Sequence, residues 1–394
     1  TSSTNYPVAF NGSGKINTGV LSNNNIVPLA INDAGNVLVG TTTSSGIQVL
    51  LYNGSTGAQI GSTVTVSAST TSTVINLMGA AGPNNRFYGA IYTTAPSVIV
   101  FAITSAGALD TSFGTSGLVT TTVQSPIQCR GMGIQTDGKI LVTGYNNAGA
   151  GSTTNPIILR FNGYPYVAQA GQNPNKAVAG GLDTTLWPSS GALKLDTYSP
   201  ISSTITTLGG SSLKRIYEYS NGKALLVCDG TSTGANTVLM RINKDLTLDT
   251  TFNTTGYITI TGKINVTSLF VDSNGNIYVA GGTTTSWLRA YTSSGAVLSG
   301  WSNPTSNLSN GAYQVATQTN NRIILAGKNT NGTLYGYTIT GALDTTFGTS
   351  GSVDMGSTLP ITDIAIDAYN NIITVANNAG TVVLQKVSAF GQTV

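Results

Sequence analysis

One hairpin recurs seven times in this chain, and that recurrence constrains the fold more than any other feature. In its clearest copy, "GMGIQTDGKILVTGY" (131–145), an alternating strand enters a tight turn and returns as a second apolar strand. Asp-Gly or Asn-Gly between apolar alternations signals a hairpin, because a type I′ turn needs positive φ at both central residues. The seven turns are Ala34-Gly35, Asn84-Asn85, Asp137-Gly138, Asn221-Gly222, Asn274-Gly275, Asn320-Asn321 and Tyr369-Asn370. Counted at the second residue of each, the spacings are 50, 53, 84, 53, 46 and 49.

Each turn leads to a third apolar strand, such as "VIVFAI", "IILRFN", "VLMRIN" or "VVLQKV". A phrase of the form "GALDTTFGTSG" (341–351) or a worn version of it follows, then a fourth segment such as "LVTTTV" (118–123). Four strands in a unit of about 50 residues is the signature of a propeller blade. The expected fold is therefore all-β, a seven-bladed β-propeller in one domain spanning 1–394. A β-helix would show shorter, more even periods, and an immunoglobulin-like chain would not restate one hairpin so closely.

The chain ends bear on the same expectation. The last unit stops at "SAFGQTV" (388–394), where the phrase should begin, and "AFNGSGKINT" near the N-terminus aligns with "SFGTSGLVTT" (112–121). Residues 1–20 are thus expected to finish the seventh blade, closing the ring and removing exposed sheet edges.

The order "QTDGKILVTGY…ILRFN…GGLDTTLWPSSG" in unit three, with "ALDTSFGTSG" and "ALDTTFGTSG" elsewhere, resembles the delta-60 repeat of bacterial, largely secreted or surface proteins. The likeness is strong in units two, three, four and six and weak in one, five and seven. It implies a propeller-like fold and carries over no activity.

Composition narrows the function. Only 8% of residues are charged, but 40% are apolar, so the chain can bury a core and is not read as disordered. The net charge of +3 is spread without a Lys/Arg cluster along the sequence, which argues against nucleic-acid binding. No apolar run approaches the roughly 20 residues of a membrane-spanning helix. A chain that begins at Thr1 without an apolar leader fits a trimmed secreted protein or a boundary cut. Its sparsely charged surface of Thr, Ser and Asn suits an extracellular or cell-surface location. The two cysteines, Cys129 and Cys228, are expected as buried free thiols rather than a disulfide framework.

Catalytic types are scarce. With no histidine, the Ser-His-Asp triad, the Cys-His pair and ordinary zinc sites are excluded. Asp110, Asp183, Asp249 and Asp344 fill one slot in four different blades, so they are expected far apart, each accepting from nearby backbone N–H groups. Phe113, Trp187, Phe252 and Phe347 share a second slot, joined by Trp301, and read as packing anchors rather than sugar platforms. "NDAGN" (32–36) and "DSNGN" (272–276) faintly resemble the start of a calcium loop but lack its downstream glutamate. Six sequons, at Asn11, Asn53, Asn253, Asn265, Asn307 and Asn331, are what chance supplies in so Asn-, Ser- and Thr-rich a chain. No cofactor or metal is implied.

The one break in the rhythm is the 84-residue spacing, part of which lies in "GYPYVAQAGQNPNKAVAG" (163–180). Long loops on rigid scaffolds are where contacts concentrate. Tyr164, Tyr166, Gln169, Asn173 and Lys176 are the candidate ligand or partner contacts there. Three function classes remain open. The first is a structural, self-associating extracellular protein, acting as a homo-oligomer or polymer. The second is an adhesin for glycans or proteins using the 163–180 loop, and the third is an enzyme working through scattered aspartates.

Overall fold

The computed structural model describes residues 10–21, 29–43, 46–67, 74–93, 97–122, 127–135, 137–146, 155–164, 181–183, 192–194, 210–230, 236–244, 247–263, 265–282, 286–304, 311–328, 330–356, 361–378 and 381–392. Their strands form seven separate antiparallel sheets, each a blade. Blade 1 runs Leu29–Ile31, Asn36–Thr43, Gly46–Asn53 and Gln59–Ser67; blade 2 runs Val74–Ala81, Phe87–Thr93, Val98–Ile103 and Leu118–Thr121. Blade 3 comprises Ile127–Ile134, Ile140–Asn146, Asn155–Phe161 and Ala192–Lys194; blade 4 comprises Gly210–Glu218, Ala224–Gly230, Thr237–Ile242 and Tyr257–Ile260. Blade 5 shows three strands among the described residues, Val266–Val271, Ile277–Gly281 and Trp287–Tyr291. Blade 6 is Ala312–Thr317, Ile323–Lys328, Gly332–Tyr337 and Ser352–Asp354.

Blade 7 is the one the chain ends build together. Ile361–Ile366, Ile372–Asn378 and Thr381–Val387 take Lys15–Leu21 as their fourth strand, with Ile16 opposite Leu384. The first strand of each blade touches the first strand of the next, and blade 7 returns to blade 1, so the sheets close into a ring. The fold is a seven-bladed β-propeller, as the spacing predicts.

Burial follows from this packing. Second and third strands are covered on both faces by neighbouring blades, and Phe87–Thr93, Val98–Ile103 and Thr237–Ile242 are buried at every position. Such strands need continuous apolar and β-branched runs rather than alternation. Fourth strands lie on the outside, and Gln59–Ser67 is mostly exposed.

The hairpin turns differ from the type I′ expectation. Only Asn84-Asn85 has positive φ at both residues, 57° and 58°. In the other six, the N–H of the left-handed residue donates to the carbonyl three residues earlier, as Gly35 N does to Asn32 O and Gly138 N to Gln135 O. These are three-residue loops whose last residue is left-handed, so a single Gly or Asn suffices. The extra residue leaves one side chain at the start of the loop pointing across it, a position that gains importance below.

Antiparallel order puts every first hairpin and every third-to-fourth-strand corner at one end of the ring, the corner end. Among the described residues no helix is long and apolar enough to cross a membrane.

Candidate functional site

The repeated Asp slot is the densest chemistry in the structure. Its Oδ1 caps the local turn: Asp110 Oδ1 accepts Ser112 N and Oγ at 3.2 and 2.6 Å. Asp249 holds Thr251 N and Oγ1 at 3.2 and 2.6 Å, and Asp344 holds Thr346 N and Oγ1 at 3.0 and 2.6 Å. The Asp-x-Ser/Thr spacing places that hydroxyl beside the carboxylate, which is why the phrase restates it.

The other oxygen goes to a cation that the sequence reading did not assign. Arg86 Nε reaches Asp110 Oδ2 at 2.9 Å, and Arg322 Nε reaches Asp344 Oδ2 at 2.7 Å. Two cations converge on each remaining slot: Lys139 and Arg160 on Asp183 at 2.9 and 2.7 Å, and Lys223 and Arg241 on Asp249 at 2.7 and 2.6 Å. Arg86, Lys139, Lys223 and Arg322 each directly follow a hairpin turn, whereas Arg160 and Arg241 sit near the ends of third strands. These bonds outweigh burial at Asp110, Asp249 and Asp344. Burial alone would raise their pKa, but the hydroxyl and cation partners leave all three below the ordinary carboxylate value.

Arg241 and Arg322 show what the cation does. Arg241 gives Nη2 to Thr251 Oγ1 at 3.0 Å and Nη1 to Ser293 O of blade 5 at 2.5 Å. Arg322, arriving from a different strand, gives Nη2 to Thr346 Oγ1 at 3.1 Å and Nη1 to Ala389 O of blade 7 at 2.8 Å. Each guanidinium also covers its blade's anchor, Phe252 at 4.8 Å and Phe347 at 5.4 Å from the ring centroid. The slot is thus a clamp between consecutive blades. Phe113, Phe252 and Phe347 are fully buried in it.

Blades without the aspartate solve the corner otherwise. In blades 5 and 7 the loop-starting residues Asp272 and Asp367 take the N–H of Asn276 and Asn371 at 2.8 Å and their amides at 3.0 and 2.9 Å. Asp272 also accepts Tyr278 Oη at 3.2 Å, and Asp367 meets Lys386 at 3.0 Å. Blade 1 uses neutral Asn32, whose Oδ1 accepts Asn36 N at 2.9 Å. In both calcium-like stretches the loop-starting side chain bonds within its loop, while Asn32 Nδ2 also donates to Asn85 O of blade 2 at 3.0 Å. Among the described residues, no group of three or more His, Cys, Asp or Glu is placed to share a metal ion.

Tyr164 lies on the same seam. Its hydroxyl shares a 2.6 Å hydrogen bond with Ser112 Oγ, Arg86 stacks 4.4 Å from its ring centroid, and its N–H donates to Tyr88 Oη at 3.0 Å. It fills for blade 2 the position that a neighbouring corner fills elsewhere. Tyr166, Gln169, Asn173, Lys176 and Trp187 lie outside the described residues. Trp301 occupies the anchor slot of blade 5 and packs on Tyr278 at 6.4 Å, while Trp287 is buried. Cys129 and Cys228 are buried thiols in blades 3 and 4 outside any disulfide, with burial pushing both up to about 12.

Two surface features remain. A groove of about 210 Å³ between the fourth strand of blade 4 and blade 5 is bordered by Thr259, Thr261, Arg289, Tyr291, Trp301 and Asn303. Among the described residues, the four large apolar side chains most open to solvent, Val297, Leu343, Tyr369 and Phe390, are 63, 36, 72 and 58% exposed. All four belong to corners or hairpin turns of blades 5, 6 and 7, so they share the corner end of the ring.

A family model described as a beta-propeller domain of unknown function (DUF5122) matches residues 135–163, the second and third strands of blade 3 with their flanking turns. The comparison with curated proteins returns no match. Among solved structures, the Dos1 propeller is similar over 96% of both chains, with 11% identity and a TM-score of 0.54. That likeness supports the propeller fold alone. A protein of unknown function from Bacteroides caccae aligns over 75% of this chain and 88% of its own, at 10% identity and a TM-score of 0.42. The PQQ-bound aldose sugar dehydrogenase from Streptomyces coelicolor aligns over 94% and 98%, at 12% identity and 0.42.

Proposed function

We propose that this propeller is a non-catalytic extracellular scaffold that associates with copies of itself through its corner end. The apolar rim of Val297, Leu343, Tyr369 and Phe390 carries this reading, because large apolar side chains gathered on one end point to a contact surface. Low charge supports it: with 8% charged residues, little long-range repulsion keeps copies apart. The repeated acids weigh against catalysis, since Asp110, Asp183, Asp249 and Asp344 are each bound to a cation of the blade framework.

Sedimentation velocity over a wide concentration range tests the proposal. The expected result is a mass that rises with concentration in the native chain, and a 40.3 kDa monomer throughout for Tyr369→Ser/Phe390→Ser. A native chain that stays monomeric, or assembles through an interface below about 800 Å² in total, overturns it.

The groove beside Trp301 favours a second reading, capture of a glycan. Aromatic, amide and hydroxyl groups around about 210 Å³ suit one sugar ring. A glycan array is the test: binding lost in Asn303→Ala supports this reading, and an array without hits removes it.

A further inference from the structure

Away from the corner end, the first strands of blades 3 and 4 bring three cations together. Both strands carry a β-bulge, with register shifts between Cys129 and Gly131 and between Leu213 and Arg215. The bulged residues are Arg130 and Lys214, and Arg215 follows directly. A bulge re-aims side chains and is frequent beside binding sites. Gly131 keeps the seam open: a Cβ there would lie 2.7 Å from Thr143 Oγ1 and 3.4 Å from Arg215 Cα.

The three are held differently. Arg130 Nη2 donates to Gln128 Oε1 at 2.9 Å and Tyr145 Oη at 3.1 Å, with Tyr145 Oη donating to the same Gln128 oxygen at 2.6 Å. Arg215 Nη1 is fixed on Arg130 O and Lys214 O at 2.8 and 2.9 Å. Lys214 Nζ stands 5.9 Å from the Tyr145 ring centroid and makes no hydrogen bond or ion pair among the described residues. Arg130 Nε is buried with no hydrogen-bond partner among the described residues.

No carboxylate within ion-pair distance offsets this charge among the described residues. Asp229 is the near acid of blade 4, yet its oxygens accept Thr237 Oγ1 and Val266 N, both at 2.8 Å, and burial raises its pKa. Asp363, on the first strand of blade 7, acts on Arg215 only at longer range. In the sequence, connecting residues 123–126, 147–154, 195–209 and 231–235 carry one carboxylate, Asp196. Burial is the first cause lowering the pKa of both Lys214 and Arg215; it outweighs the attraction of Asp229 and of Asp363, and Arg130 adds repulsion. All five residues, Gln128, Arg130, Tyr145, Lys214 and Arg215, are half-buried, with the Arg215 guanidinium the most deeply enclosed, so Arg130 and Lys214 present the more open face to an anion.

We propose that Arg130, Lys214 and Arg215 form an oxyanion-binding site on the inner strands of blades 3 and 4, with Tyr145 and Gln128 orienting Arg130. The ligand is a sulfate or phosphate group, free or carried on a sugar. A multi-oxygen anion answers three donors from two strands at once and removes the repulsion among them, and charge-assisted bonds are strongest in such half-dry sites. The site is independent of self-association, because a chain that remains monomeric can still bind an anion here.

Thermal unfolding of the whole chain, in sulfate, phosphate or a sulfated disaccharide against sodium chloride of equal ionic strength, tests the proposal. A ligand bound only by the folded state raises Tm in a saturable way. Sulfate or phosphate is expected to do so in the native protein, Lys214→Gln to weaken the apparent affinity at least about tenfold, and Lys214→Arg to retain it. In chloride alone, Lys214→Gln should melt above the native chain, since burial of the Lys214 charge outweighs its attraction to Asp229. Lys244→Gln, at the corner end, should behave as native. Stabilisation by the disaccharide alone assigns the ligand as sugar-borne. Absence of saturable stabilisation by all three in the native chain overturns the proposal, as does a Lys214→Gln protein that binds as tightly as native. If Lys214→Gln does not fold, the salt-matched titration of the native and Lys214→Arg chains decides.

Discussion

Arg160 Nη2 stands 2.7 Å from Asp183 Oδ2, and the two side chains are 1% and 0% exposed. Lys139 reaches the same oxygen at 2.9 Å. Breaking such a pair from one side leaves a desolvated charge alone. Asp183→Asn should therefore lower unfolding stability by about 3–5 kcal/mol, read from urea denaturation. Arg160→Met should cost clearly less, because it removes the buried cation, refills its volume, and leaves Lys139 to answer the acid.

Glu218 introduces pH dependence at the seam of blades 3 and 4. Its Oε1 accepts Gln135 Nε2 at 2.8 Å, its Oε2 is buried without a partner, and burial pushes its pKa from 4.5 to about 7. Below 4.5 folded and unfolded chains both hold the proton. Between 4.5 and about 7 only the folded chain does, so stability falls as pH rises across that window and then levels off. Glu218→Gln should abolish this slope. The Tm difference between variant and native chain should widen up to about pH 7 and stay constant above it.

Where a hairpin uses Asn rather than Gly at its left-handed position, the amide ties the turn to the preceding blade. Asn370 Nδ2 donates to Thr319 Oγ1 at 2.6 Å and its Oδ1 accepts Thr319 N at 2.7 Å; Asn85 Oδ1 accepts Ala34 N at 3.1 Å. Asn370→Gly keeps the φ of 64° available and removes only the tie. The expected loss is about 1 kcal/mol, with faster hydrogen exchange at the Thr319 amide.

Gly341 sits at φ +83° against the preceding corner, where a Cβ would meet Ser302 O and the Trp301 ring. Gly262 has φ +64° and nothing within 4 Å of its Cβ position. Alanine at Gly262 should cost only the backbone strain, about 1–2 kcal/mol. Alanine at Gly341 adds a clash with backbone, so its Tm should fall markedly further below that of Gly262→Ala.

The ring was legible because its turns and corners are local: one left-handed residue or one Asp-Thr-Thr-Phe phrase marks each. Even the closure could be read, since "AFNGSGK" repeats a corner broken by the chain ends. The clamps were not, because their cation arrives from two positions about 20 residues apart in the blade, after the hairpin in Arg322 and late in the third strand in Arg241. Only strand pairing brings both to one carboxylate. The apolar rim escaped notice for a similar reason. Val297, Tyr369 and Phe390 stand apart in sequence in segments that read as ordinary turns, and only the ring brings them to one end of the molecule.

The assignment of the repeated acids to structure is tested most directly by a double-mutant cycle on Arg322 and Asp344, joined at 2.7 Å with no second cation on the acid among the described residues. Unfolding free energies of Arg322→Gln, Asp344→Asn and the double variant give the coupling, free of effects common to both. A structural clamp predicts a favourable coupling of about 2 kcal/mol. Additive losses, with coupling near zero, would contradict it and return Asp344 to the pool of acids available for another task.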